Sequence, residues 1–244
     1  ASGKGGVGKS TVSANLAVAL AAEGKRVGLL DADVYGPSQP RMMGLRDARP
    51  GSTGDGHTIV PLRAHGVTLM SIGFMLEEGK AVVWRGPMLM SAITQMLGQV
   101  AWGELDVLLV DLPPGTGDVQ LTLAQRSELS GAIVVSTPQD IALIDARKAI
   151  DMFAKTATPV LGILENMSGY VCPNCGHEVD IFGKGGAEAD ATRLGVPFLG
   201  AVPLDLAIRL AGDAGTPVVA ADPNAPQSRA FRDAARLLIG EGVV

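Results

Sequence analysis

A chain of 244 residues, 47% hydrophobic and 18% charged, has the size of a single α/β domain and the apolar content to bury a large core. Its net charge of −5 argues against a general nucleic-acid binder, which shows a basic surplus. No apolar run reaches the roughly 18–20 residues of a membrane span and no secretory signal opens the chain, so the expected location is the cytoplasm, with no membrane partner.

Aromatics make up only 4%, so the core falls to Ala, Val, Leu, Ile and Met, which suits helices packed on a parallel sheet. Gly3-Lys4-Gly5-Gly6-Val7-Gly8-Lys9-Ser10 matches G-x-x-x-x-G-K-[ST] in full. Its glycines let backbone N–H groups turn toward phosphate oxygens, and the helix after it points its positive end at the same oxygens. Lys9 can reach the β- and γ-phosphates, the Ser10 hydroxyl can ligate Mg²⁺, and Thr11 completes the nucleotide-binding run Gly3 to Thr11. Such a loop normally follows a buried strand, yet only Ala1 and Ser2 precede it. The expectation is one P-loop ATPase domain over 1–244, with its first strand, and room for a further N-terminal domain, upstream of residue 1.

Ser10 to Glu23 places Val12, Leu16 and Leu20 at helical spacing, and Gly24 can stop the helix. Arg26 to Leu30 reads as a buried strand ending in Asp31-Ala32-Asp33. Paired carboxylates there either orient the attacking water or join the metal shell, or they merely solvate a strand end. Residues 42–68 are Gly- and Arg-rich and weakly patterned, a surface excursion. Val67 to Ile72 reads as a strand and Met88 to Trp102 as a helix.

Asp106 to Asp111 is a buried strand whose terminal carboxylate can hold Mg²⁺ through water or, alternatively, cap a turn before Pro113. The loop Leu112 to Asp118 could sense the γ-phosphate. Ala132 to Ser136, Val160 to Leu164 and Phe198 to Val202 are further strands. Leu143, Ala146, Ile150 and Phe153 mark a helix face, with Asp151 and Lys155 on the other, and Ala225 to Ile239 is a closing helix. This alternation predicts an α/β P-loop NTPase fold with a mostly parallel central sheet and helices on both faces.

Lys4 makes the pattern more specific. A second lysine inside Lys-Gly-Gly-x-Gly-Lys-Ser resembles the deviant Walker A ATPases, which include the MinD and ParA groups, the nitrogenase iron protein and the Mrp group. Within that class the chain is similar to the Mrp (ApbC) family of iron–sulfur cluster carrier ATPases. The matching blocks are Asp31-Ala32-Asp33-Val34-Tyr35-Gly36-Pro37-Ser38, Asp111-Leu112-Pro113-Pro114-Gly115-Thr116-Gly117-Asp118, Ser136-Thr137-Pro138-Gln139-Asp140, Glu165-Asn166-Met167-Ser168 and Cys172-Pro173-Asn174-Cys175-Gly176. The resemblance runs from Ser2 to about Arg236. The resemblance implies a catalytic set of Lys4, Lys9 and Asp33, in which Lys4 reaches the nucleotide of the partner subunit and Asp33 positions or activates the hydrolytic water. It implies that Asn166 hydrogen-bonds adenine, although a turn residue is the plain alternative. Many members of the family carry a small domain ahead of the ATPase core.

Cys172 and Cys175 form a Cys-x-x-Cys that alone fits zinc, thioredoxin-type redox or iron–sulfur chemistry. Pro173 and Gly176 favour a tight knuckle over the helix-opening pair of a thioredoxin. His177, adjacent to Cys175, reads as solvent-facing rather than as a third ligand. Two thiolates cannot complete a four-ligand site, but an isologous homodimer pools four. The resemblance then implies a labile 4Fe–4S cluster bridged across that dimer and handed to acceptor proteins, with zinc as a substitute on open thiolates.

The expected function is therefore an ATP-driven cluster carrier. The rivals are a MinD- or ParA-like positioning ATPase, a zinc-binding P-loop ATPase, and an ATP-driven electron donor. The last resembles the nitrogenase iron protein, whose cluster cysteines are far apart in sequence. A MinD-like membrane tail would be basic and amphipathic, unlike Gly240-Glu241-Gly242-Val243-Val244.

Overall fold

The computed structural model describes residues 1–54, 56, 58–75, 86–115, 117–126 and 129–244. The phosphate loop leads into α1 (Lys9–Ala22), followed by β1 (Val27–Asp31). After α2 (Gln39–Met42), the described residues of the expected excursion hold the short strands β2 (Gly51–Ser52), β3 (Ile59–Val60) and β4 (Leu62–Ala64). Then come β5 (Val67–Ser71), α3 (Gly86–Gly98), β6 (Val107–Asp111), α4 (Asp118–Arg126), β7 (Ala132–Ser136), α5 (Asp140–Lys155) and β8 (Val160–Asn166). A small ribbon of β9 (Tyr170–Val171) and β10 (Glu178–Val179) precedes α6 (Gly186–Leu194) and β11 (Phe198–Val202). The chain continues through α7 (Leu206–Asp213), α8 (Val218–Ala221) and α9 (Pro226–Gly240).

The main strands form two groups, β4-β5-β1-β6 and β11-β8-β7. All pairings within them are parallel except β4 with β5. β1 is buried at every position, which is why it reads as an unbroken apolar run. Successive side chains of a strand point to opposite faces, and the core divides accordingly. Val135 and Leu164 join the large core that contains α1 and α9, whereas Val134 packs with α5 and Ile163 with α6. Helices thus cover both faces. α1 is apolar nearly all round and correspondingly buried, from Val12 through Leu20. α9 is amphipathic, with Phe231, Ala234, Ala235 and Leu238 inward. Its Arg232 and Arg236 reach Glu23 beyond the end of α1, at 2.8 and 3.1 Å.

Ala1 and Ser2 link β7 to the loop after β6. The Ala1 amino group donates to Ile133 O at 2.7 Å, Val135 N donates to Ala1 O at 2.9 Å, and Gly115 N donates to Ser2 O at 2.9 Å. Beside this dipeptide lies an apolar cleft of about 500 Å³, walled by Leu16, Leu20, Leu108, Val110, Ile133 and Phe153. It leaves Val107 to Val110 only half-buried where β1 next to them is sealed. Among the described residues no helix is long and apolar enough to cross a membrane.

Candidate nucleotide site and cysteine knuckle

The site gathers at the carboxyl ends of β1, β6 and β8, where a parallel α/β sheet presents its loops. Gly6 and Gly8 of the phosphate loop have φ of 83° and 81°, the left-handed region that a side chain disfavours. Gly3 and Gly8 are also required by close approach. A Cβ on Gly3 would lie 2.0 Å from Asp145 O in α5, and one on Gly8 would lie 2.2 Å from Asn166 Nδ2. Gly8→Ala is therefore expected to displace Asn166 and the loop together. ADP affinity should fall at least about tenfold, as measured by calorimetric titration, because both backbone strain and a steric overlap oppose the native loop.

Lys9, the first residue of α1, is buried, and its Nζ lies 3.2 Å from Asp111 Oδ1 and 3.7 Å from Asp33 Oδ2. One cation thus faces the carboxylates that end β6 and follow β1. A third, Asp31, is fully buried. It accepts from Asp33 N at 3.1 Å, Gln39 N at 3.1 Å and Ser71 Oγ at 2.9 Å. Burial, then the nearby Asp111 charge, push Asp31 up to about 7 against the downward pull of those hydrogen bonds. Asp33 Oδ1 in turn accepts from Tyr35 N at 3.1 Å, which fixes the turn after β1. Lys4 is exposed, and its carbonyl accepts from Ser2 Oγ at 3.0 Å.

Gln39, absent from the sequence expectations, proves central. Its side chain is fully buried, and Nε2 donates both to Ser10 O and to Asp111 Oδ2, each at 2.9 Å. Nothing in its local sequence marks it, since its partners come from β6 and from the start of α1. Gln39 Oε1 and Asp111 Oδ1 are buried and have no hydrogen-bond partner. A buried, unpartnered amide oxygen beside a carboxylate whose free oxygen faces only the Lys9 ammonium, at 3.2 Å, suits a hydrated, oxygen-seeking cation such as Mg²⁺, which takes few protein ligands alongside phosphates.

Asn166 is the last residue of β8 rather than a loop residue beyond it. Its Nδ2 donates to Val7 O at 2.8 Å and so ties β8 to the phosphate loop. One N–H and the carbonyl of its amide stay available. Beside it opens a cavity of about 260 Å³ lined by Thr11, Ser38, Met42, Asn166, Met167 and Leu204. That is smaller than a typical site of roughly 300 Å³ or more, and so fits one end of a ligand whose phosphates lie outside it. The larger cleft between β6 and β7 is lined mainly by apolar side chains and contains none of the Lys9, Asp33, Asp111 cluster.

Glu165 lies next to Asn166 in β8. It is fully buried and accepts from Ser168 Oγ at 2.5 Å, Gly185 N at 2.8 Å and Ala187 N at 2.8 Å. One carboxylate therefore closes the base of the whole excursion from 168 to 185, on which the cysteines ride.

The cysteines sit between β9 and β10. Gly176 N donates to Cys172 O and Cys172 N to His177 O, each at 2.9 Å, closing a tight knuckle. The backbone N–H of Cys175, then that of Asn174, then the Cys175 thiol hold the Cys172 thiol below its ordinary range. Cys175 and His177 are exposed. Among the described residues no group of three or more His, Cys, Asp or Glu is placed to hold a metal ion, so the knuckle offers two sulfurs and no third ligand.

Comparison with known proteins points to one family. The chain is 52% identical over 235 residues to the iron–sulfur cluster carrier protein of Pseudomonas fragi, covering 96% of this chain and 82% of that one. It is 53% identical over 234 residues to the protein of the same name in Escherichia coli K12, covering 96% and 63%. The chain thus spans less than two thirds of several relatives it matches. Among solved structures, a nucleotide-binding protein of Archaeoglobus fulgidus in complex with ADP matches with a TM-score of 0.76 and 44% identity, over 87% of this chain and 83% of that one. The cell division ATPase MinD of Pyrococcus furiosus matches with a TM-score of 0.71 and 25% identity, over 98% and 96%, which makes it a relative in fold. A family model described as ParA, NUBPL iron-transfer P-loop NTPase, matches residues 1–239. On its phosphate loop, its fold and that match, the chain belongs to the NUBPL iron-transfer family of P-loop NTPases.

Proposed function

We propose that this domain binds and hydrolyses ATP with Mg²⁺ as a cytoplasmic homodimer, and that Cys172 and Cys175 of two copies together carry a 4Fe–4S cluster destined for acceptor proteins. The observation that carries the reading is the knuckle. It offers two sulfurs, the Cys172 thiol held below its ordinary range by neighbouring N–H groups, with no third ligand beside them among the described residues. A four-sulfur cargo then requires a second copy.

Each residue has a task in this reading. The N–H groups of Gly3 to Thr11 cradle the phosphates, and Lys9 turns from Asp33 and Asp111 to the phosphate oxygens. Ser10 and Asp111 hold the cation, which neutralises charge on the phosphates when bound. Asp33, freed of Lys9, orients the attacking water and accepts its proton. The partner's Lys4 adds charge at the transferring phosphoryl group, a role its exposure permits. Asn166 keeps Val7 with one N–H and offers the rest of its amide to adenine in the adjoining cavity. Glu165 and Asn166 are consecutive, so the residue that grips the phosphate loop adjoins the one that grips the cysteine excursion. That adjacency is the physical route by which nucleotide state would gate cluster loading or release.

The test is anaerobic reconstitution. Cys172→Ala and Cys175→Ala should each lose at least about nine tenths of bound iron and sulfide while ADP affinity stays within about twofold. Full iron and sulfide on either variant would end the carrier reading. Zinc without iron in protein purified free of oxygen would favour the zinc-binding reading instead.

A further inference from the structure

We infer that Gln39 is a positioning residue for the cation that accompanies the nucleotide. The inference rests on the reading above that the site takes Mg²⁺ with its nucleotide. The Gln39 carboxamide spans the two protein groups assigned to the cation. Its N–H groups hold the Ser10 backbone and one oxygen of Asp111, both at 2.9 Å. Asp111 is thereby turned so that its other oxygen, Oδ1, faces Lys9 and carries no hydrogen bond. The backbone N–H of Gln39 is held in turn by Asp31, so the residue is fixed at both ends.

The Gln39 Oε1 atom supplies the second observation. It is buried, without a partner, and belongs to the same amide group that touches Asp111 and Ser10. A buried acceptor left unpaired is costly, so its retention calls for a donor that arrives later. The buried ammonium of the cluster, Lys9, is already shared by two carboxylates. A water bound to a divalent cation is a strong donor and meets the need. Mg²⁺ keeps several of its waters when it binds. Gln39 thus both aims the Asp111 ligand and accepts from the hydrated ion, the part that outer-shell partners play at metal sites generally.

The experiment uses Mn²⁺ as the probe and electron paramagnetic resonance to count free ion over the ADP complex. Gln39→Leu removes the donors and the acceptor at similar size, and Gln39→Asn keeps the chemistry but falls one carbon short of bridging Ser10 and Asp111. The Leu variant should bind Mn²⁺ about tenfold or more weakly, and the Asn variant should shift the same way by a smaller factor. ADP affinity measured in EDTA should stay within about twofold for both. Unchanged Mn²⁺ affinity in a folded variant would overturn the inference, as would an equal loss of ADP affinity in EDTA. If the Leu variant fails to fold, the Asn variant decides alone. If the unaltered protein binds ADP with no Mn²⁺ dependence, it is the Mg²⁺–nucleotide reading that fails, and with it the role of Gln39.

Discussion

Lys9→Met is expected to abolish nucleotide binding and, separately, to destabilise the fold by about 3–5 kcal/mol, the usual cost of removing one partner from a buried ion pair. Lys9 is 7% exposed and stands between Asp33 and an Asp111 that is 1% exposed, with buried Asp31 bonded into the same cluster. Without the ammonium, three carboxylates share a dry pocket and repel one another. The deficit should depend on pH in a definite sense. An acid raised above its unfolded value, as Asp31 already is at about 7, costs stability that grows as pH climbs from its ordinary value of 3.8 toward the folded value. Asp31 carries that cost in the parent as well, and loss of the Lys9 charge adds to it, so the variant should lie closest to the parent below about pH 4 and fall furthest behind above about pH 7. Urea denaturation at several pH values, beside an ADP titration, measures both effects. A variant that lost nucleotide but kept full stability at every pH would show that water, not Lys9, screens the cluster.

Glu165→Ala is expected to cost about 3 kcal/mol or more and to weaken metal capture by cysteines it does not touch. The carboxylate accepts one hydroxyl and two backbone N–H groups, and all three donors lose their partner at once. Those donors lie at both ends of the segment that carries the knuckle, so the loss should loosen the ribbon as well as the fold. Zinc is a convenient probe, through competition with a chelating dye, and an affinity about tenfold lower is expected with both thiols intact. A lowered urea midpoint with unchanged zinc affinity would mean that the β9–β10 ribbon holds its shape unaided, and the proposed route from nucleotide to cysteines would lose its first link.

The parts of the fold that could be read from the chain were those whose pattern is local. β1 and β7 are apolar runs on both faces, and α5 shows its buried stripe of Leu143, Ala146 and Phe153. The phosphate loop declares itself through spacing alone. β9 and β10 escaped notice because each is two residues long and is held by the turn between them rather than by burial. α4, α6, α7 and α8 were likewise not anticipated, being short or only weakly apolar. The expected helix from Met88 to Trp102 ends at Gly98, because Val100 instead bridges to Ile59. In the site, Lys9, Asp33 and Asp111 could be anticipated from strand ends. Gln39 and Glu165 could not, since their meaning lies in partners 72 positions away for the one and 22 for the other. Part of the loop after Asp111 expected to sense the γ-phosphate, at Thr116, lies outside the described residues.

The placement of the knuckle bears on what sort of vessel this is. A protein built to store metal wraps its sulfurs in apolar walls. Here Val171 and Val179, at the base of the turn, are themselves about half open to water, and Cys175 has no cover. On a single copy, anything held on so shallow a perch would keep a face toward competing thiols, which suits the hand-over proposed above better than storage.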